Sequence, residues 1–355
     1  MRWSEPRSTA RGSERVDGSR TVTPKNFDDV RAFLKTCLAK RDEPAVPDYL
    51  RPSDYWKYFI SNFQYVFQLQ DAELRRIRYH TYHLTGDYYC AYTHQPAASF
   101  APLRQEYLML VDETGGYKAG DGPLGFGHEV NGEKITVDTV RYMQVIADLH
   151  RSGVLDRSGE KRILEIGGGY GGLARCVMLY NPQAAYAICD LEETMFFQAV
   201  QLSNNFGFDA IELCPDGMAP GQVLLPGHFY LIPQRCADTI PPSSVDIVVN
   251  QQSLQEMTPE QVRHYFAVID KTAQYFYSCN SQHDASITDR LQIVTRLQSM
   301  IDGHFRRVKW QSRAPSVGRS VQRLGKLIRL LTGQSVRRVG DYNLRRVLYE
   351  AGSTC

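Results

Sequence analysis

The spacing of apolar residues changes near residue 160 of this 355-residue chain. From Phe27 to about Asp156, apolar side chains recur every three or four residues, a period that predicts helices. One such segment, DYWKYFISNFQYVFQLQ at residues 54–70, carries its aromatic rings along one broad face. That face suits a hydrophobic core, a contact between two copies of the chain, or a wall of rings for a substrate. We therefore expect a mainly helical region over residues 26–156.

Short apolar runs alternate with helical patterns from residue 157 to residue 355. Seven runs are typical of strands: RILEI, AAYAICD, HFYLIP, SVDIVVN, QYFYSCN, FRRVKWQS and LRRVLYE. Thr258 and Pro259 form an N-cap and a first helical position before the helix that precedes QYFYSCN. Strands that alternate with helices predict an α/β fold with a doubly wound sheet, here of seven strands. Ligands of such sheets bind at the carboxyl ends of the strands.

Two segments lie outside this alternation. Residues 1–25 are polar and lack the apolar stretch of a secretory signal, so we expect a flexible tail. Residues 314–340 form a basic, amphipathic insertion, and the span from Arg306 to Arg346 holds twelve Lys and Arg against one acid. The insertion suits a solvated helix face, a contact between copies, or attraction of an acidic or phosphorylated substrate.

The composition excludes several classes of protein. A formal net charge of +2 gives no general attraction to polyanions. No apolar run approaches the roughly 20 residues of a membrane span. Eight cysteines are scattered without a paired CxxC framework, a usage typical of small buried side chains in a reducing compartment. We expect a cytoplasmic protein with no membrane partner.

A glycine turn, EIGGGYGG at residues 165–172, follows the first strand of the sheet. Glu165, Gly167, Gly169 and Gly172 spell E-x-G-x-G-x-x-G, in which glycines let the backbone turn sharply and let a ligand lie against it. The pattern fits NAD as well as S-adenosylmethionine. Tyr170 inside the turn either shields the methionine end of that ligand or only packs.

The acid two residues before the first glycine of the motif distinguishes between the two candidate ligands. A carboxylate at Glu165 repels a dianionic pyrophosphate, whereas it attracts the ammonium group of a methionine moiety. Asp190 ends the second strand, where it can accept both ribose hydroxyls, and Leu191 follows it. Since NAD enzymes share this second acid, Glu165 decides in favour of S-adenosylmethionine. Gln234 and Arg235 follow the third strand, with Asp238 somewhat later, and any of the three could contact the adenine end.

The segment after the fourth strand, NQQSLQE at residues 250–256, is rich in amides. We assign Asn250 to the cofactor, and Gln251, Gln252 and Gln255 to the acceptor, because amides both donate to and accept from a polyhydroxylated molecule. The chain lacks an Asn-Pro-Pro-Tyr sequence here, which argues against methylation of bases in nucleic acid. We expect a small-molecule acceptor and no nucleic-acid partner.

Transfer of a methyl group to a hydroxyl benefits from a general base. Glu256, just before the helix capped by Thr258, is the first candidate, and His128 in the glycine-rich entry loop is the second. His283 and Asp284, after the fifth strand, form a third candidate pair. No metal is assigned, although carboxylates at Asp190, Glu192 and Glu193 lie close enough in sequence to raise magnesium as an alternative.

Four blocks together resemble a known family: ILEIGGGYGGLA, ICDLEET, NQQSLQEMTPEQVRHYF and YFYSCN. They are similar to bacterial sugar O-methyltransferases, a group of class I S-adenosylmethionine-dependent methyltransferases, over roughly residues 120–285. The resemblance implies methylation of a sugar hydroxyl in a natural product, nucleoside or glycan intermediate. Two alternatives stay open: methylation of a phenolic or polyketide hydroxyl, with the aromatic region as pocket wall, and a non-catalytic scaffold.

Overall fold

A computed structural model describes residues 21–122, 124–281, 297–305, 307–311 and 344–351. Residues 1–20 of the expected tail lie outside these ranges. So do the basic insertion at 314–340 and the candidate residues His283 and Asp284.

Most of the described residues before residue 157 lie in helices and turns. The helices of this region, in chain order, are α1 (Phe27–Arg41), α2 (Asp54–Phe63), α3 (Asp71–Leu74), α4 (Tyr82–Thr85), α5 (Cys90–Thr93), α6 (Ala101–Glu113) and α7 (Val137–Arg151). An antiparallel hairpin of β1 (His128–Val130) and β2 (Glu133–Ile135) interrupts them, which the sequence pattern did not predict. Three of these helices, α1, α2 and α7, start at polar caps. At the first of them, Asn26 Oδ1 accepts the Asp29 backbone N–H at 3.0 Å.

One eight-stranded sheet forms the centre of the described chain. Its strands are β3 (Lys161–Ile166), β4 (Ala184–Asp190), β5 (Ile211–Leu213), β6 (Phe229–Pro233), β7 (Val245–Gln251), β8 (Ala273–Ser281), β9 (Val308–Gln311) and β10 (Leu344–Glu350). They lie in the order β5-β6-β4-β3-β7-β8-β10-β9. All neighbours are parallel except β10, which runs antiparallel to both β8 and β9.

The sheet thus has one strand more than expected. The additional strand β5 is only three residues long and pairs in parallel with β6. Its outer edge is covered by the start of the described chain, since Val22 and Leu213 exchange two backbone hydrogen bonds of 2.8 and 2.9 Å. This pairing corrects the expected boundary of the tail, because residues 21–25 belong to the folded part.

Helices cover both faces of the sheet. The remaining helices are α8 (Gly172–Tyr180), α9 (Glu192–Phe206), α10 (Pro259–Thr272) and α11 (Leu297–His304). One hydrophobic core joins α7, α8 and α9 to one face, and the other joins α10 and α11 to the opposite face. Alternate residues of the buried strands enter the two cores: Ile163 faces the first and Leu164 the second.

The aromatic face of α2 lies partly in the first core. Phe63 is fully buried and meets Phe197 of α9 edge to face, with ring centroids 5.2 Å apart. The N-terminal helices therefore pack on the same side of the sheet as α9. No helix in the described ranges is long and apolar enough to cross a bilayer.

Candidate active site

A cavity of about 210 Å³ opens at the carboxyl ends of β3, β4, β6 and β7. This edge includes the point where the strand order reverses, between β3 and β7. The sheet side of the cavity is formed by the glycine turn, by the ends of β4 and β6, and by the loop after β7. Residues of α2, α4 and α7 also contribute to the lining. The cavity is therefore where doubly wound sheets bind their ligands.

The glycine turn brings backbone to the cavity at Gly167 and Gly169. Gly169 has φ +57°, and a Cβ placed on it would meet nothing within 4 Å, so open space lies over this residue. At Gly167, with φ +73°, a Cβ would come within 2.2 Å of Ser253 Oγ in the loop after β7. Gly167 is thus required for close contact between the two loops, and Gly169 leaves room for a ligand.

Two further residues of the turn do not line the cavity. Gly172 opens α8, and a Cβ there would lie 2.4 Å from the ring of Tyr142, so its role is close packing. Tyr170 is buried with the Arg78 guanidinium 4.6 Å from its ring centroid. Of the two roles expected for Tyr170, the structure supports packing, and neither residue is placed to touch a ligand.

Glu165 lies at the end of β3 on the cavity floor. It is almost fully buried, and its Oε2 accepts a hydrogen bond of 3.0 Å from the Tyr186 hydroxyl. Burial raises the pKa of this carboxyl to about 8, and the nearby Asp190 adds to the increase. A cation placed beside Glu165 would favour its ionised form, and the methionine ammonium is such a cation.

Asp190 ends β4 at the same edge of the cavity, and Leu191 beside it lines the cavity too. Its Oδ1 accepts the Leu191 backbone N–H at 2.7 Å, and its Oδ2 accepts Gln198 Nε2 at 2.6 Å. Burial raises its pKa to about 6, against the effect of these hydrogen bonds. Because each carboxylate oxygen has two lone pairs, Asp190 can still accept from ribose hydroxyls.

Gln198 is a site residue that the sequence did not reveal. Its Nε2 also donates to the Gly169 carbonyl at 3.1 Å, so one buried amide joins the glycine turn to Asp190. Its Oε1 is buried without a hydrogen-bond partner among the described residues. Gln234, one of the adenine candidates, lines the cavity and points Nε2 at the Tyr49 carbonyl, 3.4 Å away.

The loop after β7 supplies the amides expected for the acceptor. Gln251, Gln252 and Gln255 all line the cavity, and Gln252 has the left-handed φ of +64°. Asn250 does not line it. Its Nδ2 donates to the Ile166 carbonyl at 2.8 Å, and its Oδ1 accepts from Asn280 at 2.8 Å. Asn250 therefore joins β3, β7 and β8 beneath the cavity, which corrects its expected contact with the cofactor.

The two candidate bases are placed differently. Glu256 lines the cavity, and its Oε1 accepts a 2.7 Å hydrogen bond from the Tyr55 hydroxyl of α2. His128 lies on β1 outside the cavity, and its ring stacks on Phe100 with centroids 4.8 Å apart. His128 thus packs on Phe100 away from the cavity. Of the two candidates, only Glu256 lines the cavity.

Much of the rest of the cavity lining comes from the N-terminal region. It includes the rings of Tyr55, Trp56, Phe59, Tyr82 and Tyr142, with the polar side chains of His83, Asp138 and Arg141. The sequence showed the aromatic face of α2 without showing that part of it reaches the sheet edge. Arg141 donates to Asp138 Oδ1 at 3.2 Å, so this cation is already paired.

A buried arginine connects this region to the glycine turn. Arg78 Nε lies 2.9 Å from Asp121 Oδ2, and its Nη2 lies 3.0 Å from Asp87 and 3.1 Å from Asp138. Its guanidinium is held between the rings of Phe126 and Tyr170. Burial raises the pKa of Asp87 to about 7, and the charge of Asp138 adds to the increase.

The carboxylates considered for magnesium have other partners. Arg41 Nη1 lies 2.7 Å from Glu193 and 3.4 Å from Glu192, and Arg235 Nε lies 3.7 Å from Glu192. The described residues contain no group of three or more His, Cys, Asp or Glu side chains that could hold a metal ion. No residue is assigned to a metal.

No protein-family model and no curated protein matches the chain. Several solved methyltransferases show a slight likeness. Coclaurine N-methyltransferase bound to N-methylheliamine and S-adenosylhomocysteine is 11% identical, with a TM-score of 0.37 over 91% of this chain and 95% of that one. Mitomycin 7-O-methyltransferase is 13% identical, with a TM-score of 0.36 over 91% and 96%.

Phosphoethanolamine N-methyltransferase 2 of Haemonchus contortus, in complex with S-adenosyl-L-methionine, is 12% identical, with a TM-score of 0.37. The match covers 73% of this chain and 60% of that one. Likeness at this level assigns neither a family nor a reaction to the chain.

Proposed function

We propose that the protein is an S-adenosylmethionine-dependent methyltransferase that methylates a hydroxyl group of a sugar-containing small molecule. The observation that carries the proposal is the arrangement of one cavity. Two buried acids, Glu165 and Asp190, flank the open space over Gly169, and Glu256 with three glutamines lines the same cavity. A cofactor end and an acceptor end thus share one space.

The cofactor end suits S-adenosylmethionine better than a dinucleotide. Glu165 would bind the methionine ammonium, Asp190 the ribose hydroxyls, and Leu191 and Gln234 the adenine end. Two acids beside a glycine turn offer a pyrophosphate no positive charge, whereas in their ionised forms they favour a ligand that carries an ammonium and a sulfonium. When bound, this cofactor supplies an electrophilic methyl group.

The acceptor end suits a hydroxyl-rich molecule. Gln251, Gln252 and Gln255 can each donate and accept hydrogen bonds, which matches the mixed needs of sugar hydroxyls. Glu256 would accept the proton that the attacking hydroxyl loses. Alignment of the hydroxyl with the methyl group supplies much of the rate, so the shape of the cavity matters as much as the base.

A second acceptor class is favoured by one observation. The rings of Tyr55, Trp56 and Phe59 line the same cavity as the glutamines. Such a wall would also hold a flat phenolic or polyketide acceptor. The glutamines favour the sugar, and a direct comparison of the two acceptor classes decides between them.

The cofactor assignment is tested by calorimetry with S-adenosylhomocysteine and, separately, with NAD. We expect micromolar binding of the first and none of the second. The reverse result would overturn the assignment. Turnover is then measured as S-adenosylhomocysteine formed from S-adenosylmethionine with two panels, p-nitrophenyl glycosides and catechols. Faster turnover of the catechols would overturn the sugar as the proposed acceptor class in favour of a phenolic hydroxyl.

The role of Glu256 is tested by Glu256→Gln, with the exposed Glu260→Gln of α10 as control. We expect Glu256→Gln to lower kcat by about 10²-fold or more, the usual contribution of a general base, with unchanged affinity for S-adenosylhomocysteine. A fully active variant would remove Glu256 as the base.

A further inference from the structure

The short turn that carries Glu256 is held by residues 51–55 of the N-terminal region. The Tyr55 hydroxyl donates to Glu256 Oε1 at 2.7 Å, and Ser53 Oγ donates to the Glu256 carbonyl at 3.3 Å. Gln261 Nε2, one turn into α10, donates to the Arg51 carbonyl at 2.9 Å. The first contact meets the carboxylate of Glu256, the second meets its backbone carbonyl, and the third joins the start of α10 to the backbone of Arg51.

The residues that make these contacts lie at the starts of two helices, α2 and α10. Ser53 is the N-cap of α2, and Tyr55 lies in its first turn. Glu256 ends a short 3₁₀ turn, Leu254–Glu256, and α10 begins three residues later with a capping box between Thr258 and Gln261. Capped helix ends hold their first turn in one backbone conformation. The distance between the phenol and the carboxylate is therefore set by two ordered elements.

Packing also fixes the direction of the phenol. Tyr55 is 7% exposed, and its ring centroid lies 5.0 Å from that of Phe59 and 5.9 Å from that of Trp56. A ring held by its neighbours places its hydroxyl whether or not a partner is present. The hydroxyl thus meets the carboxylate at little cost in side-chain entropy.

We propose that Tyr55 is a positioning residue that holds the carboxylate of Glu256 for proton transfer, so that α2 completes the catalytic site. The inference rests on the function proposed above. The phenol donates its proton to Oε1 and stays neutral, so it favours the ionised carboxylate without competing for the proton of the acceptor. It also limits the carboxylate to one orientation, which a base in a surface turn would otherwise lack.

The test uses Tyr55→Phe, which removes one hydroxyl and keeps the ring, with Tyr58→Phe as control. Tyr58 lies on the same helix and is 57% exposed. With the p-nitrophenyl glycoside or catechol of highest turnover, we expect Tyr55→Phe to lower kcat about 10- to 100-fold, the range for a misplaced catalytic group. The acid limb of the kcat profile should move to higher pH, and the KM for S-adenosylmethionine should stay unchanged.

A double variant separates positioning from independent catalysis. If Tyr55 acts through Glu256, adding Tyr55→Phe to Glu256→Gln causes no further loss of kcat. If the fold-losses of kcat in the two single variants multiply in the double variant, Tyr55 acts independently of Glu256, and the inference is overturned. Wild-type kcat with an unmoved pH profile in Tyr55→Phe would overturn it as well.

A measurement that needs no acceptor tests the positioning role of Tyr55 independently of the proposed function. Hydrogen exchange of the amides at residues 253–258 should be faster in Tyr55→Phe than in wild type or Tyr58→Phe. Unchanged exchange would overturn the positioning role whatever the reaction is. Faster exchange with no turnover of either acceptor panel would instead count against the proposed function.

Discussion

The hydroxyl of Tyr186 donates a hydrogen bond to the buried carboxyl of Glu165 at 3.0 Å, on the cavity floor below the glycine turn. This bond favours the ionised carboxyl, but burial outweighs it and keeps the pKa near 8. Because this acid is largely neutral at pH 7 and a neighbouring cation would favour its ionised form, binding of a cationic ligand there would depend on pH.

Cofactor binding should release a proton to solvent. At neutral pH Glu165 is mostly protonated, because its pKa is raised to about 8, and the methionine ammonium favours the ionised form. Affinity for S-adenosylhomocysteine should therefore rise between about pH 6 and about pH 7.5, while the ammonium is still mostly charged. Calorimetry in buffers of different ionisation enthalpy measures the proton. Equal heats in all buffers would contradict the prediction.

Glu165→Gln should weaken binding of S-adenosylhomocysteine by about 10- to 100-fold, since a hydrogen bond between charged groups contributes about 1.5–3 kcal/mol. The variant should also abolish the proton release. Glu106→Gln is the control, because Glu106 is a partly buried glutamate on α6 whose partner is Gln144. If both variants bind equally well, Glu165 does not hold the ammonium.

Gly169→Ala should lose affinity for S-adenosylhomocysteine, because the added methyl group occupies the space in which the ligand lies. Gly207→Ala is a matched control, since both glycines have positive φ and open space where a Cβ would be, and Gly207 only ends α9. Both variants should lose about 1–3 kcal/mol of unfolding free energy from backbone strain. Urea unfolding and calorimetry separate the two effects, and equal affinities would refute the position of the ligand.

Arg78→Met should destabilise the fold by about 3–5 kcal/mol, because removal of one partner leaves buried charges uncompensated. Three carboxylates, those of Asp87, Asp121 and Asp138, lie around this single guanidinium. Lys57→Met is the control, since its ion pair with Asp54 is exposed. Urea unfolding gives the difference, and equal midpoints for the two variants would contradict the prediction.

Stability should fall as the pH rises from about 4 to about 7. The pKa of Asp87 is raised from 3.8 to about 7 by burial, so the folded chain binds more protons than the unfolded chain in this window. Glu192 acts in the same direction, with its pKa raised by burial to about 7. Asp87→Asn should reduce the slope of unfolding free energy against pH, and an unchanged slope would exclude Asp87 as its source.

Most of the sheet could be predicted from sequence because its strands are long apolar runs between clear helices. AAYAICD and LRRVLYE match β4 and β10 residue by residue. The three-residue strand β5 carries no such signal, since it exists through pairing with β6 and with Val22. Short edge strands depend on partners that are distant in sequence, and the local pattern cannot show them.

The cofactor end and the acceptor end of the proposed site differ in how far sequence alone can predict them. Glu165, Gly169 and Asp190 belong to one strand–turn–helix–strand segment, so the sequence predicted that they lie close together. Tyr55 and Glu256 are 201 residues apart, and only the packing of α2 on the loop after β7 brings them together. Asn250 is next to Gln251 in sequence, yet it points below the cavity because successive strand residues face opposite sides.

The place of β10 within the sheet also constrains how the chain is made. β10 separates β8 from β9 and is the partner of both, so neither can complete its hydrogen bonds until residues 344–350 have left the ribosome. Until then β8 offers an open strand edge, which favours pairing with other chains. A chain truncated before residue 344 should therefore aggregate, and a nascent chain should most need a chaperone in the interval between the emergence of β8 and the emergence of β10.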